Sequence, residues 1–346
     1  MPDLPPPSLR LKLDRAALTA NWRALDALSG DASAGAAVKA DGYGLGAGTV
    51  AKTLQQAGAC DFFIAHWSEA PDIVHYVDPA RISVLHGPIR SEDADYARGL
   101  GIKPVINSIE QARRWLDGGG GRCDLMVDTG INRLGVAPQD LGDSAIAALE
   151  VDILMSHLAS ADEDSPLNAL QLERFRDVCA VVPAQRRSLA NSAGIALGRD
   201  YAFQLTRPGL SLYGGVPRNE LTDDIRQVAF PQAAVIQVRD LSPGDSVGYN
   251  ATFIAPRAMR AATVSLGYAD GFLRCRGPAS ALRFGEAALP LLGKVSMDMV
   301  VVDLTAAPQV GEGDWLDVPF SLPEIARSCG MSQYELLTTL GRRFRR

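Results

Sequence analysis

Between Gly35 and Arg207 the sequence repeats one pattern: a short apolar run, a loop, and a longer stretch whose apolar residues have helical spacing. The gaps between apolar runs leave room for the crossover helix that joins neighbouring parallel strands. Eight strands are predicted: Ala36–Ala40, Asp61–Ala65, Ile82–His86, Lys103–Asn107, Asp124–Asp128, Asp152–Ser156, Ser188–Ser192 and Phe203–Arg207. Such units favour an α/β fold, a (β/α)8 TIM-type barrel. A doubly wound open sheet is the alternative, since its topological switch point cannot be read from a sequence.

A second kind of pattern begins near Phe230. Downstream, short apolar runs follow one another closely and are separated by turns such as PGD and GEGD, without long helical stretches. We therefore predict a barrel domain over 9–229 and a mostly β C-terminal domain over 230–346, with residues 1–13 as candidates for pairing with the second domain. Final helices are predicted at Leu322–Cys329 and from Gln333 to Leu340, the latter with a capping box of Ser332 and Glu335.

Composition removes several function classes. A formal net charge of −6 gives no electrostatic case for binding nucleic acid or an anionic membrane. The histidines and the odd number of cysteines lack metal-binding spacing, so no metal site is predicted. The N-terminal segment has no apolar stretch typical of a signal peptide, and no apolar run reaches the ~18 residues of a membrane span. We expect a cytoplasmic protein with reduced thiols.

One lysine stands out in the stretch AVKADGYGLG, residues 37–46. Lys39 is expected near the C-terminal end of a buried strand, where desolvation lowers the pKa of an amine and makes it nucleophilic. Schiff-base chemistry needs such an amine. The alternative is a lysine that extends its ammonium group to solvent beside a glycine-rich loop.

Other polar residues occur at the ends of later predicted strands. In a barrel of this type these ends surround one pocket, so Lys39, His157, Ser192 and Arg207 are expected to meet there. Phosphate sites in such barrels commonly follow strands seven and eight, at a helix N-terminus.

The segments after those two strands are LANSAG and LTRPGLSLYG. Pro208 at a first helical position, followed by Gly209, predicts a helix whose free N–H groups face an anion. Ser192 and Tyr43 can each add a hydroxyl group. Ordinary turn chemistry explains any one of these residues alone, and their joint placement favours a phosphate site.

Several of these motifs together resemble the alanine racemases, a family of fold-type III enzymes that use pyridoxal 5′-phosphate (PLP). AVKADGYGLG is similar to the N-terminal motif of that family, and six later segments match in the same order: DTGINRLG, MSHLASADE, NSAG, RPGLSLYG, SLGYADGF and GKVSMDM. The resemblance spans most of the chain.

The resemblance implies a role for each matching residue. Lys39 would carry PLP as a Schiff base, and Lys39 and Tyr268 would be the catalytic residues. The implied cofactor-binding residues are Lys39, Tyr43, His157, Ser192, Arg207, Gly209 and Leu210. The implied substrate-binding residues are Arg133, Met297 and Asp298.

Arg207 bears on the type of reaction. In the family this arginine meets the pyridine nitrogen of PLP, and related decarboxylases place an acidic residue there. A guanidinium group donates a hydrogen bond but does not accept a proton, so the cofactor becomes a weaker electron sink. The resemblance therefore implies racemisation over decarboxylation.

A racemase needs a proton donor or acceptor on each face of Cα. Lys39 can serve one face and Tyr268 the other, with His157 relaying charge toward Arg207. Tyr268 lies in the predicted C-terminal domain, and the family supplies this tyrosine from the partner subunit. The resemblance thus implies an obligate homodimer with shared active sites.

Three positions depart from the family. Met126 replaces a lysine that is often carbamylated and paired with the helper arginine, here Arg133. A buried Arg133 would then need chloride, another small anion, water, or a nearby acid such as Asp124 or Asp128. A tyrosine common near the family's C-terminus has no counterpart up to Arg346, and Lys294 replaces a more usual arginine.

The expected activity is interconversion of L- and D-alanine, for cell-wall peptide supply or D-alanine catabolism. The alternatives are a broad-specificity amino-acid racemase, a decarboxylase of the same fold type, or a non-catalytic PLP carrier. Known carriers resemble the barrel alone, so the added β domain counts against the last of these.

Overall fold

The computed structural model describes residues 5–345, and its internal contacts divide the chain into two compact units. The α/β unit runs from Arg15 to Arg226. The β unit combines the N-terminal segment up to Asp14 with the chain from Gln227 onward.

The first strand and the first helix belong to different units. Strand β1 (Leu9–Leu13) belongs to the β unit, and helix α1 (Arg15–Leu28) opens the α/β unit. The buried residues of α1 recur every three or four positions, as expected for a helix that packs one face on a sheet: Ala17, Leu18, Asn21, Trp22 and Leu25. The Trp22 indole donates a hydrogen bond of 3.1 Å to the carbonyl of Ala34, which fastens the helix to the neighbouring strand.

The strands of the α/β unit are short and parallel. They are β2 (Ser33–Ala34), β3 (Ala36–Ala37), β4 (Phe62–Ile64), β5 (Ile82–Val84), β6 (Lys103–Ile106), β7 (Arg122–Met126), β8 (Glu150–Met155), β9 (Arg186–Ser188) and β10 (Leu205–Thr206). Within the described residues, β3 to β9 form one sheet in chain order, and β10 pairs with β2.

Backbone hydrogen bonds also connect the last strand of that sheet with β10. The Gln204 amide donates to the Arg187 carbonyl at 3.2 Å, and the Arg207 amide donates to the Ala190 carbonyl at 2.8 Å. On the other side of β10, the Gly35 amide donates to the Thr206 carbonyl at 2.9 Å, directly before β3.

Helices fill most of the connections, as parallel strands require. They are α2 (Lys39–Tyr43), α3 (Ala47–Ala57), α4 (Ser91–Leu100), α5 (Ile109–Asp117), α6 (Ser144–Ala147), α7 (Pro166–Val181) and α8 (Ser192–Ala196). Their apolar faces join the sheet in the core, where Phe62, Phe63, Leu54 and Phe175 are almost fully buried.

An ion network lies buried among the strands from β4 to β9. The Lys103 Nζ lies 2.6 Å from Asp152 Oδ2 and 3.3 Å from Asp124 Oδ1. Arg186 donates two hydrogen bonds to Asp61, at 2.7 and 2.8 Å, and one to Asp152 at 3.2 Å. Burial opposes ionisation of Asp152, but Lys103 and Arg186 together lower its pKa to about 2. Each buried charge in this network therefore has an opposite charge beside it.

The β unit is antiparallel. Its strands after β1 are β11 (Ala229–Leu241), β12 (Ser246–Val247), β13 (Phe253–Ile254), β14 (Met259–Val264), β15 (Ala281–Phe284), β16 (Ala287–Leu292), β17 (Val300–Asp303) and β18 (Trp315–Asp317). The pairing order is β1, β11, β14, β17, β16, β15, β18, and β18 also pairs with β11. Six strands, β11, β14, β17, β16, β15 and β18, therefore close into a β-barrel, with β1 added beside β11, whereas β12 and β13 pair with each other in a separate hairpin.

Two helices follow the β-barrel, α9 (Leu322–Cys329) and α10 (Gln333–Thr338). The bounds of α9 are those predicted, and α10 ends two residues earlier than expected. The predicted capping box is present: the Ser332 side chain accepts from the Glu335 amide, and Glu335 accepts from the Ser332 amide.

Several predicted strand bounds were wrong. The first predicted strand ends at Ala37, and the seventh is shifted upstream because Ser192 starts a helix, α8, whose N-cap Asn191 accepts a hydrogen bond from the Gly194 amide at 2.8 Å. Phe203 cannot start a strand because its φ is 52°. The sequence pattern did not indicate β16, which contains Pro290 and no β-branched residue, or β18, which has three residues.

Candidate active site

Lys39 opens a left-handed turn instead of ending a strand. The turn has positive φ at four consecutive residues: Ala40 (52°), Asp41 (54°), Gly42 (61°) and Tyr43 (54°). This geometry costs roughly 1–2 kcal/mol for each residue with a Cβ. Such a turn persists only where its surroundings hold it, and it reverses the chain directly after Lys39.

Aromatic packing holds the far end of this turn. The rings of Tyr43 and Tyr213 stack with centroids 4.6 Å apart, and the Tyr213 hydroxyl donates to the Ala37 carbonyl at 2.8 Å. The Tyr43 hydroxyl lies so close to Gly209 that a Cβ there would meet it at 2.3 Å. Only glycine therefore fits at residue 209 while Tyr43 keeps this position.

A buried polar cradle surrounds Gly209. The Ser192 Oγ accepts hydrogen bonds from the amides of Gly209 (2.9 Å) and Ser211 (3.2 Å), which leaves its proton to donate. Leu210 is the first residue of a 3₁₀ turn (Leu210–Tyr213), where an N–H has no partner within the turn. Among the described residues, the buried Ser211 hydroxyl has no hydrogen-bond partner. The segment predicted to bind an anion thus offers hydrogen-bond donors, although its turn starts two residues after Pro208, not at it.

Arg207 is buried at the end of β10. Its guanidinium donates to the Ser188 hydroxyl and to the Ser156 carbonyl, both at 2.5 Å, at the ends of the neighbouring strands β9 and β8. Burial lowers the pKa of Arg207 to about 10, an effect that the carboxylate of Asp124 opposes. Arg207 therefore remains charged at neutral pH, with its position fixed from two strands.

Cations crowd around Lys39. Burial, followed by the guanidinium of Arg133, lowers the pKa of the Lys39 amine, and Arg207 adds to this effect. Burial and then Arg207 lower the pKa of His157 to about 3, with smaller contributions from Arg133 and Lys39. His157 is therefore a neutral imidazole at physiological pH. Positive charge concentrated in this way favours an anionic ligand.

Arg133 differs from its prediction. Its side chain is exposed in this chain, so the premise of a buried guanidinium was wrong. Asp128 Oδ1 accepts the amides of Gly130, Ile131 and Asn132, at 2.8 to 3.1 Å, and Asp124 belongs to the buried ion network. Both acids thus have other partners. Met126 is buried, with 7% of its surface exposed.

Sequence reasoning missed two features beside Lys39. The Glu69 carboxylate accepts the Ala40 amide at 2.7 Å. The rings of His66 and His86 meet edge to face with centroids 4.1 Å apart, and burial, then His66, lower the pKa of His86. No role was predicted for these histidines from the sequence. The only available signal was their position at the ends of predicted strands.

In the β unit, three predicted residues lie together. The Tyr268 amide donates to the Ser296 carbonyl at 3.1 Å, and the Ala269 amide donates to the Met297 carbonyl at 3.0 Å. A Cβ on Gly267 would meet that carbonyl at 2.1 Å, so this close approach requires glycine. The segments that carry Tyr268, Met297 and Asp298 are therefore locked side by side.

Charged groups surround this second group of residues. The Arg274 guanidinium lies 5.3 Å from the centre of the Tyr268 ring. Arg343 contacts Asp270 at 2.7 Å and Asp298 at 2.9 Å, and so ties the chain after α10 to both segments. The Lys294 Nζ donates to the Asn250 side chain at 3.1 Å. Arg346, where the family's tyrosine was expected, lies outside the described residues.

Comparison with known proteins supports the resemblance. Residues 13–217 match the family model of the alanine racemase N-terminal domain, and residues 228–346 match that of the C-terminal domain. The chain belongs to the alanine racemase family. An alanine racemase of Cereibacter sphaeroides is 42% identical over 347 residues, covering 97% of each chain. A biosynthetic alanine racemase of Agrobacterium fabrum is 39% identical over 364 residues, covering 98% of this chain and 93% of the relative.

A solved alanine racemase structure is similar over the whole chain. The enzyme from Bartonella henselae, with covalently bound pyridoxal phosphate, has a TM-score of 0.88 at 32% identity and covers 98% of this chain and 99% of that one. Membership of the alanine racemase family confirms the resemblance predicted from the motifs. Because both alanine racemase domains are matched, a carrier that consists of the barrel alone is disfavoured.

The predicted residues thus form two groups. The lysine cluster, in the α/β unit, comprises Lys39, Tyr43, Arg133, His157, Ser192, Arg207, Gly209 and Leu210. The tyrosine cluster, in the β unit, comprises Tyr268, Met297 and Asp298. None of the helices among the described residues combines the length and apolar character needed to cross a bilayer.

Proposed function

We propose that this protein is a PLP-dependent racemase that interconverts L-alanine and D-alanine. The observation that carries the proposal is the lysine cluster. The pKa of the Lys39 amine is lowered there by burial and by the guanidinium groups of Arg133 and Arg207. The same cluster contains the buried Ser192 hydroxyl, which is hydrogen-bonded to backbone amides at Gly209 and Ser211. The family membership of the chain supports alanine as the substrate.

The residues present fit the cofactor. Tyr43, Ser192 and the backbone at Gly209 and Leu210 would hold the phosphate, and the unpartnered Ser211 hydroxyl is a further donor in the same segment. Lys39 would hold the cofactor covalently. When bound, PLP withdraws electrons from the substrate Cα and makes its proton acidic.

Arg207 favours racemisation over competing reactions. Its guanidinium would donate to the ring nitrogen while Ser188 and Ser156 fix its position. Because arginine does not accept a proton there, electron withdrawal is limited and Cα regains a proton quickly. His157, neutral through burial and Arg207, adds no further charge to this pocket.

Two groups would exchange the Cα proton. Lys39 accepts or donates it on one face, aided by the lowered pKa of its amine. Tyr268 serves the other face, with Arg274 above its ring to stabilise developing negative charge. Arg133 and the segment of Met297 and Asp298 would hold the substrate carboxylate.

We further infer that the protein is an obligate homodimer in which each Tyr268 completes the partner's site. The exposure of Met297 (54%) and of Asp298 supports a covered surface there. The free thiols of all five cysteines favour a cytoplasmic location. Supply of D-alanine for cell-wall peptides and catabolism of D-alanine both remain open as the physiological role.

The finer fold is also an inference. The hydrogen bonds on both sides of β10 support closure of the parallel strands into an eight-stranded (β/α)8 barrel. The proposed domain limits of 9–229 and 230–346 follow the change of pattern near Phe230, and the pairing of β1 with β11 assigns the N-terminal strand to the second domain.

One experiment tests the function and its rivals. The purified protein with PLP is reduced with borohydride, and the labelled residue is mapped. We expect a visible absorbance band that reduction removes, with the label on Lys39, and racemisation of alanine. Release of CO2 would favour a decarboxylase, and equal rates over a panel of amino acids would favour a broad-specificity racemase. Label elsewhere would overturn the proposal.

A further inference from the structure

Glu69 occupies an unusual position next to the Lys39 turn. One carboxylate oxygen accepts the Ala40 amide at 2.7 Å. The other accepts the Ala65 amide at 2.7 Å and the His66 amide at 3.2 Å. A single half-buried carboxylate therefore ties the residue that follows Lys39 to the end of the neighbouring strand β4.

This contact acts where the backbone is strained. Ala40 has φ 52° and ψ 47°, a conformation that a residue with a Cβ adopts only under constraint. The Asp41 side chain accepts the Ala47 amide at 2.7 Å, and Tyr43 stacks on Tyr213, but both hold later parts of the turn. Glu69 is the side chain bonded to the backbone directly beside Lys39.

Glu69 also places a negative charge among the positive groups of the lysine cluster. The titratable and charged groups that face Lys39 are Arg133, Arg207, His157, His86 and Glu69. Burial and the two guanidinium groups act against protonation of Lys39, whereas Glu69 acts in favour of it. Among the described residues that shift this amine, Glu69 is the carboxylate.

We propose that Glu69 is a positioning residue for Lys39: it holds the left-handed turn at Ala40 and balances the positive charge around the amine. The proposal rests on the proposed role of Lys39 in proton transfer. It assigns two separable duties to one side chain, a geometric one through its hydrogen bonds and an electrostatic one through its charge.

Two variants separate these duties. Glu69→Gln keeps the length and one acceptor oxygen but removes the charge. The measurement is the pH dependence of kcat in the reaction direction in which Lys39 accepts the Cα proton. We expect its acid limb to move to lower pH by on the order of half a unit to one unit. The direction follows because loss of a nearby anion favours the neutral amine.

Glu69→Asp keeps the charge but is one methylene shorter, so it cannot reach both the Ala40 and Ala65 amides. We expect its acid limb to stay near that of the wild type. Hydrogen exchange at the Ala40 amide of the holoenzyme should become about tenfold faster, equivalent to about 1.4 kcal/mol of lost protection.

Asp93→Asn is the matched control. Asp93 also accepts two backbone amides after a strand, those of Ile89 (2.9 Å) and Arg90 (3.0 Å), but it is not among the groups that shift Lys39. We expect neither the acid limb nor Ala40 exchange to change in this variant.

The outcomes are decisive. The proposal is overturned if the acid limb does not move in Glu69→Gln and the Ala40 amide of Glu69→Asp exchanges at the wild-type rate. It is also overturned if Asp93→Asn changes the acid limb and the Ala40 exchange as much as the Glu69 variants do. If the wild-type protein does not racemise alanine, the proposed function fails. Ala40 exchange would then still test the geometric duty, since it does not depend on turnover.

Discussion

The lysine cluster and the tyrosine cluster are built by different means. In the lysine cluster, burial and crowded cations shift the pKa of Lys39, His157 and Arg207, so the chemistry is tuned within one unit. In the tyrosine cluster, backbone hydrogen bonds lock two segments together, and Met297 and Asp298 remain exposed. The first group concentrates positive charge in a buried site, which favours an anionic ligand. The second presents rigid groups on a surface, in keeping with the proposed completion of the site by a partner subunit.

Loss of the amine should have the largest effect. Lys39→Ala removes both the proposed covalent anchor and one proton-transfer group, so racemisation should fall by roughly 10⁴-fold, the upper end for one acid–base group. Chiral analysis of alanine over time measures this. Substantial turnover by the variant without added amine would contradict the proposed function.

Tyr268→Phe tests whether the tyrosine cluster supplies the second group. Racemisation should fall by roughly 10²- to 10³-fold in both directions, since the equilibrium constant is fixed. Cofactor binding should be intact, because all the proposed PLP-binding residues belong to the lysine cluster. Exchange of the Cα proton with D2O, followed by NMR, should persist for one enantiomer and be lost for the other. Equal loss for both would argue against two separate bases.

Substitution of one glycine beside each cluster allows a direct comparison of the two clusters. In Gly209→Ala the new Cβ would lie 2.3 Å from the Tyr43 hydroxyl, and in Gly267→Ala it would lie 2.1 Å from the Met297 carbonyl. Overpacking of this kind costs about 1–3 kcal/mol.

We expect Gly209→Ala to weaken PLP binding about 10- to 100-fold in an absorbance titration. Gly267→Ala should leave that affinity unchanged while lowering kcat. Gly99→Ala is the baseline, since no atom lies within 4 Å of its Cβ position. Reversed effects of the first two variants would exchange the assigned roles.

The pH dependence of stability should depend on the lysine cluster. The pKa of His157 is about 3 in the folded chain, below its ordinary value, so the unfolded chain binds this proton first on acidification. The contribution of neutral His157 to the free energy of unfolding is complete above about pH 6.5 and is lost as the pH falls toward 3. His157→Gln should therefore flatten the decline of Tm between pH 6.5 and 4, whereas a substitution of the exposed His75 should not. Parallel declines in both variants would refute this assignment.

The smallest effect concerns Arg133. Because Arg133 is exposed in this chain, it needs no buried anion despite Met126. Chloride titrated at constant ionic strength should change Tm by less than about 1 °C, since exposed ion pairs contribute little. A saturable rise that Arg133→Leu abolishes would instead reveal a bound anion and a buried state of this side chain.

The sequence predicted what depends on periodic or contiguous signals. Apolar periodicity located most parallel strands, and motifs placed Arg207 at a strand end, whereas Ser192, also predicted at a strand end, starts helix α8. The contribution of Glu69 was not predictable, because it depends on how the chains after β3 and β4 approach each other. The left-handed turn was missed because Ala37 and Val38 continue a strand pattern, and nothing in Ala40 itself indicates positive φ.

The same limit applies to the β unit and to the histidines. Contiguous residues of β11, β14 and β17 have strand patterns, but pairing of β18 with both β11 and β15 is a tertiary result. The rings of His66 and His86 make contact although the two residues are about twenty positions apart in the sequence. Apolar periodicity describes local structure, so it could not predict this contact.

The buried ion network has a consequence for how the parallel strands find their alignment. Apolar strands of similar composition can slide past one another, since one valine replaces another at little cost. A slip by one residue in β6 would point Lys103 to the opposite face, leave Asp124 without its cation, and leave Asp152 with its arginine partners alone. An abandoned buried charge costs about 3–5 kcal/mol, comparable with much of a domain's total stability. The network thus favours the native strand register, because it destabilises misaligned sheets that hydrophobic burial alone would not distinguish from the native one.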